Sequence, residues 1–355
     1  MSFNFGEKIK ISIFGQSHSE EIGVTITGLP KGFKIDEEKL SSFMLRRAPG
    51  RDEFSTSRKE PDKVEITSGT VDYAINEEPL RAVIKNTNKR SNDYDNLKGI
   101  PRPGHADFAA YSKFGKDYNM AGGGQFSGRL TAPLCIAGGI CKQILEEKGI
   151  HIGAHIASIG NTGDERFNPV SVSEKDFVDK KEFPVINDSR GEAMKKEILA
   201  AKEVGDSIGG TIECAITGIA AGVGNTFFGS WESALSAAMF AIPAVKGIEF
   251  GIGFEASKLR GSENNDAFII KDGTVVTETN NHGGILGGIA SGMPIIFTVA
   301  LKPTPSISKE QKSVSLFKME ETTISIKGRH DPCIVKRAVA CVEAAAAIVV
   351  ANAVL

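Results

Sequence analysis

Apolar and polar residues alternate from Lys8 to Phe14 and again from Gly23 to Gly28. A period of two puts one face of a strand in a core. Gly15 ends the first strand, and Leu29-Pro30-Lys31-Gly32 closes the second. Asp36, followed by Glu37 and Glu38, predicts a capped helix running to Arg46-Arg47, with acids in its first turn and cations in its last. Ala48-Pro49-Gly50 stops it, and residues 51–62 read as a long polar loop. Strands are expected at 63–71 and 80–86. Residues 87–101 are polar and aperiodic, which predicts a loop or lid. A short helix follows His105, and Gly122-Gly123-Gly124 introduces an apolar helix from Ser127 to Glu147.

The second half continues the mixture. A strand is expected at 150–158, then an irregular polar stretch over 160–187. The sequence Ser189-Arg190-Gly191-Glu192 reads as a capping box opening a helix to Glu203. Strands near 209–217, 246–250, 265–271 and 292–301 flank a helix near 230–241 that carries Trp231. Residues 302–320 read as a polar loop before a strand at 321–326 and a last helix from Pro332. Many strands alternate, which favours antiparallel pairing. Long alanine- and glycine-rich helices need cover. The expected class is α+β, a β-α-β sandwich of antiparallel sheets packed on a layer of long helices, built as one domain over 1–355.

Composition narrows the function classes. With 42 basic and 44 acidic residues, nothing global favours a nucleic-acid or membrane partner. The apolar stretch Ala338 to Leu355 contains Glu343 and Asn352 and is rich in alanine, which suits a buried helix better than a membrane span. The N-terminus shows no secretory signal pattern. Cys135, Cys141, Cys214, Cys333 and Cys341 form no CxxC pair and sit in apolar surroundings. They read as buried free thiols of a reducing, cytoplasmic compartment. Arginine is scarcer than lysine, 13 against 29. Arg46, Arg47, Arg51, Arg102, Arg129 and Arg329 all lie near glycine or proline, where a planar fork suits a bound polyanion. Loop ion pairs are the competing explanation.

Three loops carry the candidate chemistry. Pro101-Arg102-Pro103-Gly104-His105-Ala106-Asp107 sets a permanent cation and an imidazole on a stiff backbone. His105 suits a general acid for a leaving phosphate oxygen, or else a loop histidine bonded to backbone. Ser17-His18 follows a strand end, but adjacent residues point apart and GQSHS is no nucleophile elbow. Asp331 before Pro332 reads as a helix N-cap with proline at the first position, beside Arg329 and His330. Gly122 to Arg129, Gly283 to Gly288 and Lys302 to Ser306 are further loops open to an anion, each weak alone. No metal site is expected: His151 and His155 sit on a strand, about 13 Å apart. His282 is given no role. Together these residues suggest an enzyme for a small polyanion with acid/base histidines.

The chain resembles the chorismate synthase family. GQSHS (15–19), RRAPG (46–50), STSRKEPDKVEI (55–66), NTNKRSNDY (86–94), RPGHAD (102–107), GGGQFSGR (122–129), PAVKGIEFG (243–251), NHGGILGG (281–288), LKPTPSIS (301–308) and KGRHDPC (327–333) carry the resemblance. It implies anti-1,4-elimination of phosphate from 5-enolpyruvylshikimate 3-phosphate to give chorismate, with reduced FMN and no net redox change. On these positions it implies His105 as the acid on the phosphate side and His18 as a protonation partner near the flavin. It implies Asp331 at the proton-accepting side, with Ser17 and Ser127 relaying. Arg47, Arg102, Arg129 and Arg329 would hold substrate. Gln125, Phe126, Ser127, Pro243, Ala244, Gly287, Lys302, Pro303, Thr304, Pro305, Ser306 and Arg329 would hold FMN. Arg47 and Arg51 would meet NADPH, expected only as an indirect reductant. A homotetramer is implied. The chain departs from the common pattern at Gln16, Gln125, Gly128, Leu130, Pro243 and Glu53. A flavin-dependent oxidoreductase acting on a small polyanionic metabolite is the alternative.

Overall fold

The structure, a computed structural model, describes residues 2–17, 19–50, 52–56, 60–86, 99–115, 121–326 and 331–355. Its helices are α1 (Glu37–Arg47), α2 (Asp107–Phe114), α3 (Thr131–Glu146), α4 (Asp188–Glu203), α5 (Trp231–Phe240), α6 (Gly261–Asn264) and α7 (Val335–Val354). Two five-stranded antiparallel sheets accompany them. The first runs Ser2–Phe5, Lys10–Phe14, Glu21–Thr27, Leu80–Lys85, Glu65–Ser68 across its width. The second runs Val245–Phe250, Ile295–Leu301, Gly210–Thr217, His151–Ile159, Thr162–Gly163. The expectation of antiparallel sheets mixed with long helices is met.

Alternation explains the first sheet. Ile11 on one strand, and Ile22, Val24 and Ile26 on the next, point inward and are buried, as is Ile9 just before the first. They meet α3, which packs on this sheet and also touches the strand His151–Ile159. Helix α7 lies against α3 and covers the second sheet through His151–Ile159 and Gly210–Thr217. Small residues let α3 and α7 approach closely: a Cβ added at Gly138 would stand 2.3 Å from Ala344 Cα. Although α7 is apolar enough by length and composition to cross a membrane, 78% of its apolar window is buried inside the protein. It is a core helix.

One polar cluster is sealed into this core. Glu343 of α7 is fully buried and accepts two bonds from Arg46 of α1, at 2.7 and 2.6 Å, and one from Lys142 of α3 at 2.8 Å. The backbone N–H of Ala154 donates to it as well, at 3.1 Å. Burial alone would raise this carboxyl, yet the two cations hold it down at about 2. The cluster pins three helices and the second sheet at one point.

Several element boundaries differ from the sequence pattern. Helix α1 does start after Asp36, whose side chain accepts from Lys39 N at 3.0 Å. But α4 starts one residue after Asn187, which accepts from both Ser189 N and Arg190 N, so the cap is Asn187 and not Ser189. Helix α3 begins at Thr131 rather than Ser127, after 3₁₀ turns at Ala121–Phe126 and Gly128–Leu130. The glycines there take positive φ, +89° at Gly123 and +53° at Gly124, which an α-helix does not allow. Residues 302–320 are not wholly loop: Gln311–Ser315 pairs with Glu320–Ile324. Its polar side chains hid the strand. Helix α7 starts at Val335, three residues past Pro332. Most of the loop or lid expected at 87–101 lies outside the described residues.

Candidate active site

A cleft of about 630 Å³ opens between the loop before α2, the 3₁₀ turns before α3, the end of α5, the segment after Leu301 and the start of α7. Its lining brings together Arg47, Arg102, His105, Ser127, Arg129 and Asp331, residues spread over almost the whole chain.

The first corner is the loop before α2. Gly104, at φ +71°, folds the chain back so that His105 N donates to Arg102 O at 3.2 Å. Asp107, in the first turn of α2, then reaches both side chains. Its Oδ2 accepts from Arg102 Nε at 2.7 Å, and its Oδ1 from Arg102 Nη2 at 2.8 Å, a bidentate pair. His105 Nδ1 lies 2.7 Å from Asp107 Oδ1. Burial alone would raise Asp107, but the hydrogen bonds from Arg102 and His105 hold it well below the usual carboxylate range. An ionised carboxylate only accepts, so the imidazole donates through Nδ1 and turns Nε2 toward the glycine turn. A Cβ at Gly123 would stand 3.5 Å from that Nε2. Arg102 also donates to Ser306 Oγ, at 3.2 Å, tying this corner to the segment after Leu301.

The second corner joins the end of α1 to the start of α3. Asp62 is fully buried in its side chain and sits between Arg47, at 2.6 Å, and Arg129, with which its hydrogen bond is shorter still. Glu60 is 3.1 Å from Arg129. Arg47 donates further to Thr131 Oγ1 (3.1 Å) and Gly128 O (3.1 Å), and Arg129 to Asn86 Oδ1 (3.2 Å). Burial, then the adjacent Arg47 charge, acts to lower Arg129, while burial of Asp62 is outweighed by its two arginines. Asp62 takes φ +47°, a left-handed backbone for a residue with a side chain. In that conformation its one carboxylate meets two guanidinium groups.

The third corner is Asp331. The reading of it as an N-cap is corrected: it lies four residues before the first residue of α7, and its oxygens look elsewhere. Oδ1 accepts from Thr56 N at 2.8 Å and Oδ2 from Arg337 Nη1 at 2.7 Å. Arg337 Nε also donates to Arg47 O at 3.0 Å. Asp331 is therefore held between the polar loop and α7, facing the cleft.

Ser127 lines the cleft, and its Oγ accepts from Arg129 N at 3.3 Å. Ser17 is nearby but buried; its N–H donates to Gly124 O at 3.3 Å, while its Oγ has no partner among the described residues. His18, Arg51, Arg329 and His330 lie outside the described residues. No metal-binding cluster is present among the described residues. His155 is a buried core residue instead, 2.8 Å from Glu213 and 3.3 Å from Asp164.

The comparisons with known proteins agree with one another. The family model described as chorismate synthase matches residues 9–355. A curated chorismate synthase of Lancefieldella parvula is 45% identical, over 98% of this chain and 95% of that protein. One from Thermococcus kodakarensis is 40% identical, over 98% of this chain and 96% of the other. A crystal structure of a chorismate synthase superposes with a TM-score of 0.77 at 26% identity, covering 98% of this chain and 92% of that one. The chain belongs to the chorismate synthase family. It is accordingly a lyase of the shikimate pathway.

Of the residues that resemblance to chorismate synthases assigns to the cofactor, Gln125, Phe126, Ser127, Pro243, Ala244, Lys302, Thr304, Pro305 and Ser306 all line the cleft. Pro303 lies between two of them in sequence. Gly287 does not line it; it turns the hairpin that joins Ile285–Leu286 to Ile289–Ala290. Lys302 is lowered by burial and then by the like charge of Lys246, and its Nζ donates to Gly104 O at 3.0 Å. Three residues escaped the sequence reading: Asp62, Asp107 and Arg337. Asp107 stood inside the RPGHAD motif two residues from His105, a spacing that signals a dyad once the loop is known to fold back.

Proposed function

We propose that this cleft eliminates phosphate from 5-enolpyruvylshikimate 3-phosphate to give chorismate, a 1,4-elimination of anti geometry without net redox change. The observation that carries the reading is the convergence of His105, Asp331 and three arginines on one cleft. Motifs spread from Arg47 to Asp331 meet there, which supports one domain over 1–355 and the layered β-α-β sandwich. The cleft volume suits small organic ligands, which occupy about 300–1,000 Å³.

The residues present fit a flavin mononucleotide. Thr304 Oγ1 is buried on the cleft wall without a partner among the described residues, and Lys302 and Lys246 stand beside it with like charge. An anionic group would satisfy both. Lys302 to Ser306, Gln125 to Ser127, Pro243 and Ala244 would hold it, with Gly287 and Arg329 completing the set. When bound and reduced, it supplies electron density that eases departure of the leaving group.

The chain's own residues then divide the work. Asp107 orients His105 through Nδ1 and leaves Nε2 as the nitrogen that gives a proton to the departing phosphate oxygen. Asp331 takes the opposite role, on the proton-accepting side, with Ser17 and Ser127 relaying and His18 a protonation partner near the flavin. Arg102, Arg47, Arg129 and Arg329 neutralise the substrate's charges. Asp62 is a positioning residue: it fixes two of those arginines before substrate arrives. Phe126, Phe240, Ile242 and Ile334 give the rest of the lining an apolar surface. NADPH, through Arg47 and Arg51, is an indirect reductant at most. The working form is a cytoplasmic homotetramer without nucleic-acid or membrane partners.

The test is His105→Ala, assayed for phosphate release with pre-reduced flavin under anaerobic conditions. Turnover should fall by about 100-fold or more while substrate affinity holds, since a proton donor and no arginine is removed. A wild-type rate would end the assignment of His105.

A further inference from the structure

The floor of the cleft carries chemistry that the elimination does not use. Cys341 of α7 lines it, and the Sγ of Cys135 on α3 stands 3.9 Å from the Sγ of Cys341. The two helices cannot drift apart at this point, because Gly138 and Ala344 are in close backbone contact one turn further on. We propose that Cys135 and Cys341 form a redox-active pair, oxidised to a reversible disulfide by peroxide entering through the cleft.

The surroundings favour Cys341 as the attacking sulfur. The hydrogen bond from Cys135, followed by the Arg47 charge, Thr131 and the Arg337 charge, lowers its thiol to about 7. Burial pushes Cys135 well above the ordinary range, and the nearby Asp62 carboxylate adds to that. Cys341, on the cleft and near the Arg47 and Arg337 charges, is the sulfur placed to attack, and Cys135, sealed between the helices, the one placed to resolve. The other three cysteines are buried, and burial raises each of them, with Cys141 and Cys333 at about 12.

The step balances without any other reagent. The Cys341 thiolate attacks one peroxide oxygen, the O–O bond breaks, and the departing hydroxide takes a proton to leave as water. Cys135 then attacks the Cys341 sulfenic acid. The S–O bond breaks, the S–S bond forms, and the Cys135 proton goes to the departing hydroxide as a second water. Two thiols are oxidised and one peroxide is reduced. The sulfurs need to close by about 2 Å. That movement draws the Cys341 turn away from Thr131 and Arg47 and removes a negative charge from beside Arg47. Substrate handling should suffer.

The test treats the intact protein with graded hydrogen peroxide, alkylates free thiols after unfolding, and maps peptides by mass. The expected product is a Cys135–Cys341 linked peptide two hydrogens lighter, with Cys141, Cys214 and Cys333 alkylated. The kcat/KM for phosphate release should fall at least tenfold and return with dithiothreitol. Cys135→Ser should stop at a Cys341 sulfenic acid that dimedone traps, and Cys341→Ser should yield neither product. Oxidation falling equally on all five cysteines, or no linked peptide when Cys341 is consumed, would overturn the pair. A fully linked protein with unchanged kcat/KM would overturn its effect on the cleft. The peptide map reads the thiols directly, so it stands whatever reaction the cleft performs.

Discussion

Arg46 and Arg47 are neighbours in sequence and end in two clusters of one kind, a buried carboxylate shared between two cations. In one, Glu343 is shared by Arg46 and Lys142; in the other, Asp62 is shared by Arg47 and Arg129. Both shared carboxylates are fully buried, and beside Asp62 a second acid, Glu60, also meets Arg129. The difference lies in what surrounds them. Glu343 is closed in by three helices and a backbone N–H, so its cluster fastens the core. Asp62 is reached from a loop at positive φ, and its arginines border the cleft. Helical geometry separates two adjacent arginines by about 100°, which is enough to give one to the core and the other to the site. Charge pairing alone therefore says nothing about function; the location of the pair decides.

The comparison breaks most visibly if both carboxylates are removed in turn. Asp62→Ala strands Arg47 and leaves Arg129 to Glu60, Glu343→Ala strands Arg46 and Lys142, and each should cost about 3–5 kcal/mol in stability, measured by denaturant unfolding. Only Asp62→Ala should also raise KM strongly. The folded fraction of Glu343→Ala should keep kcat/KM within about twofold of wild type. Equal catalytic loss in both would erase the distinction.

Acid sharpens it next. The Glu343 carboxyl lies at about 2 in the folded protein against an ordinary 4.5. A lowered folded value gives stability that is full above the unfolded value and is lost as pH falls through the folded one. Unfolding free energy should therefore drop by about 3 kcal/mol from this group between roughly pH 5 and 2. The Glu343→Gln variant should lose that part of the acid slope, as read from melts across that range.

Asp107→Asn tests the dyad. Asparagine keeps the shape but offers His105 no full negative charge, so the rate should fall about 100-fold, or about 2.7 kcal/mol in barrier, with little change in melting. A rate within twofold would reduce Asp107 to a partner of Arg102. Smallest is the pair Arg46→Lys and Arg47→Lys. Lysine lacks the bidentate fork. Each should cost roughly 1 kcal/mol in stability, and only Arg47→Lys should lower substrate affinity, by about fivefold.

Much of this was legible in the chain. Asp36, two acids and two terminal arginines announced α1, and alternating isoleucines announced the first sheet, because local capping and burial dictated both. The motifs RPGHAD and GGGQFSGR, weak singly, marked the cleft once taken together and with the family resemblance. What stayed hidden depended on distance. Asp62 looked like one more polar loop residue, because its partners are 15 and 67 positions away. Asp331 looked like a cap, because Pro332 follows it; Thr56 and Arg337 claim its oxygens instead. Cys135 and Cys341 looked like separate buried thiols, and only the crossing of α3 and α7 makes them neighbours.

The most direct measurement of the account is anaerobic turnover with a small, known amount of pre-reduced FMN, following phosphate and flavin absorbance together. Many phosphates per flavin should appear while the flavin stays reduced. Flavin oxidised in step with product, one for one, would contradict the elimination and make the cleft an oxidoreductase site.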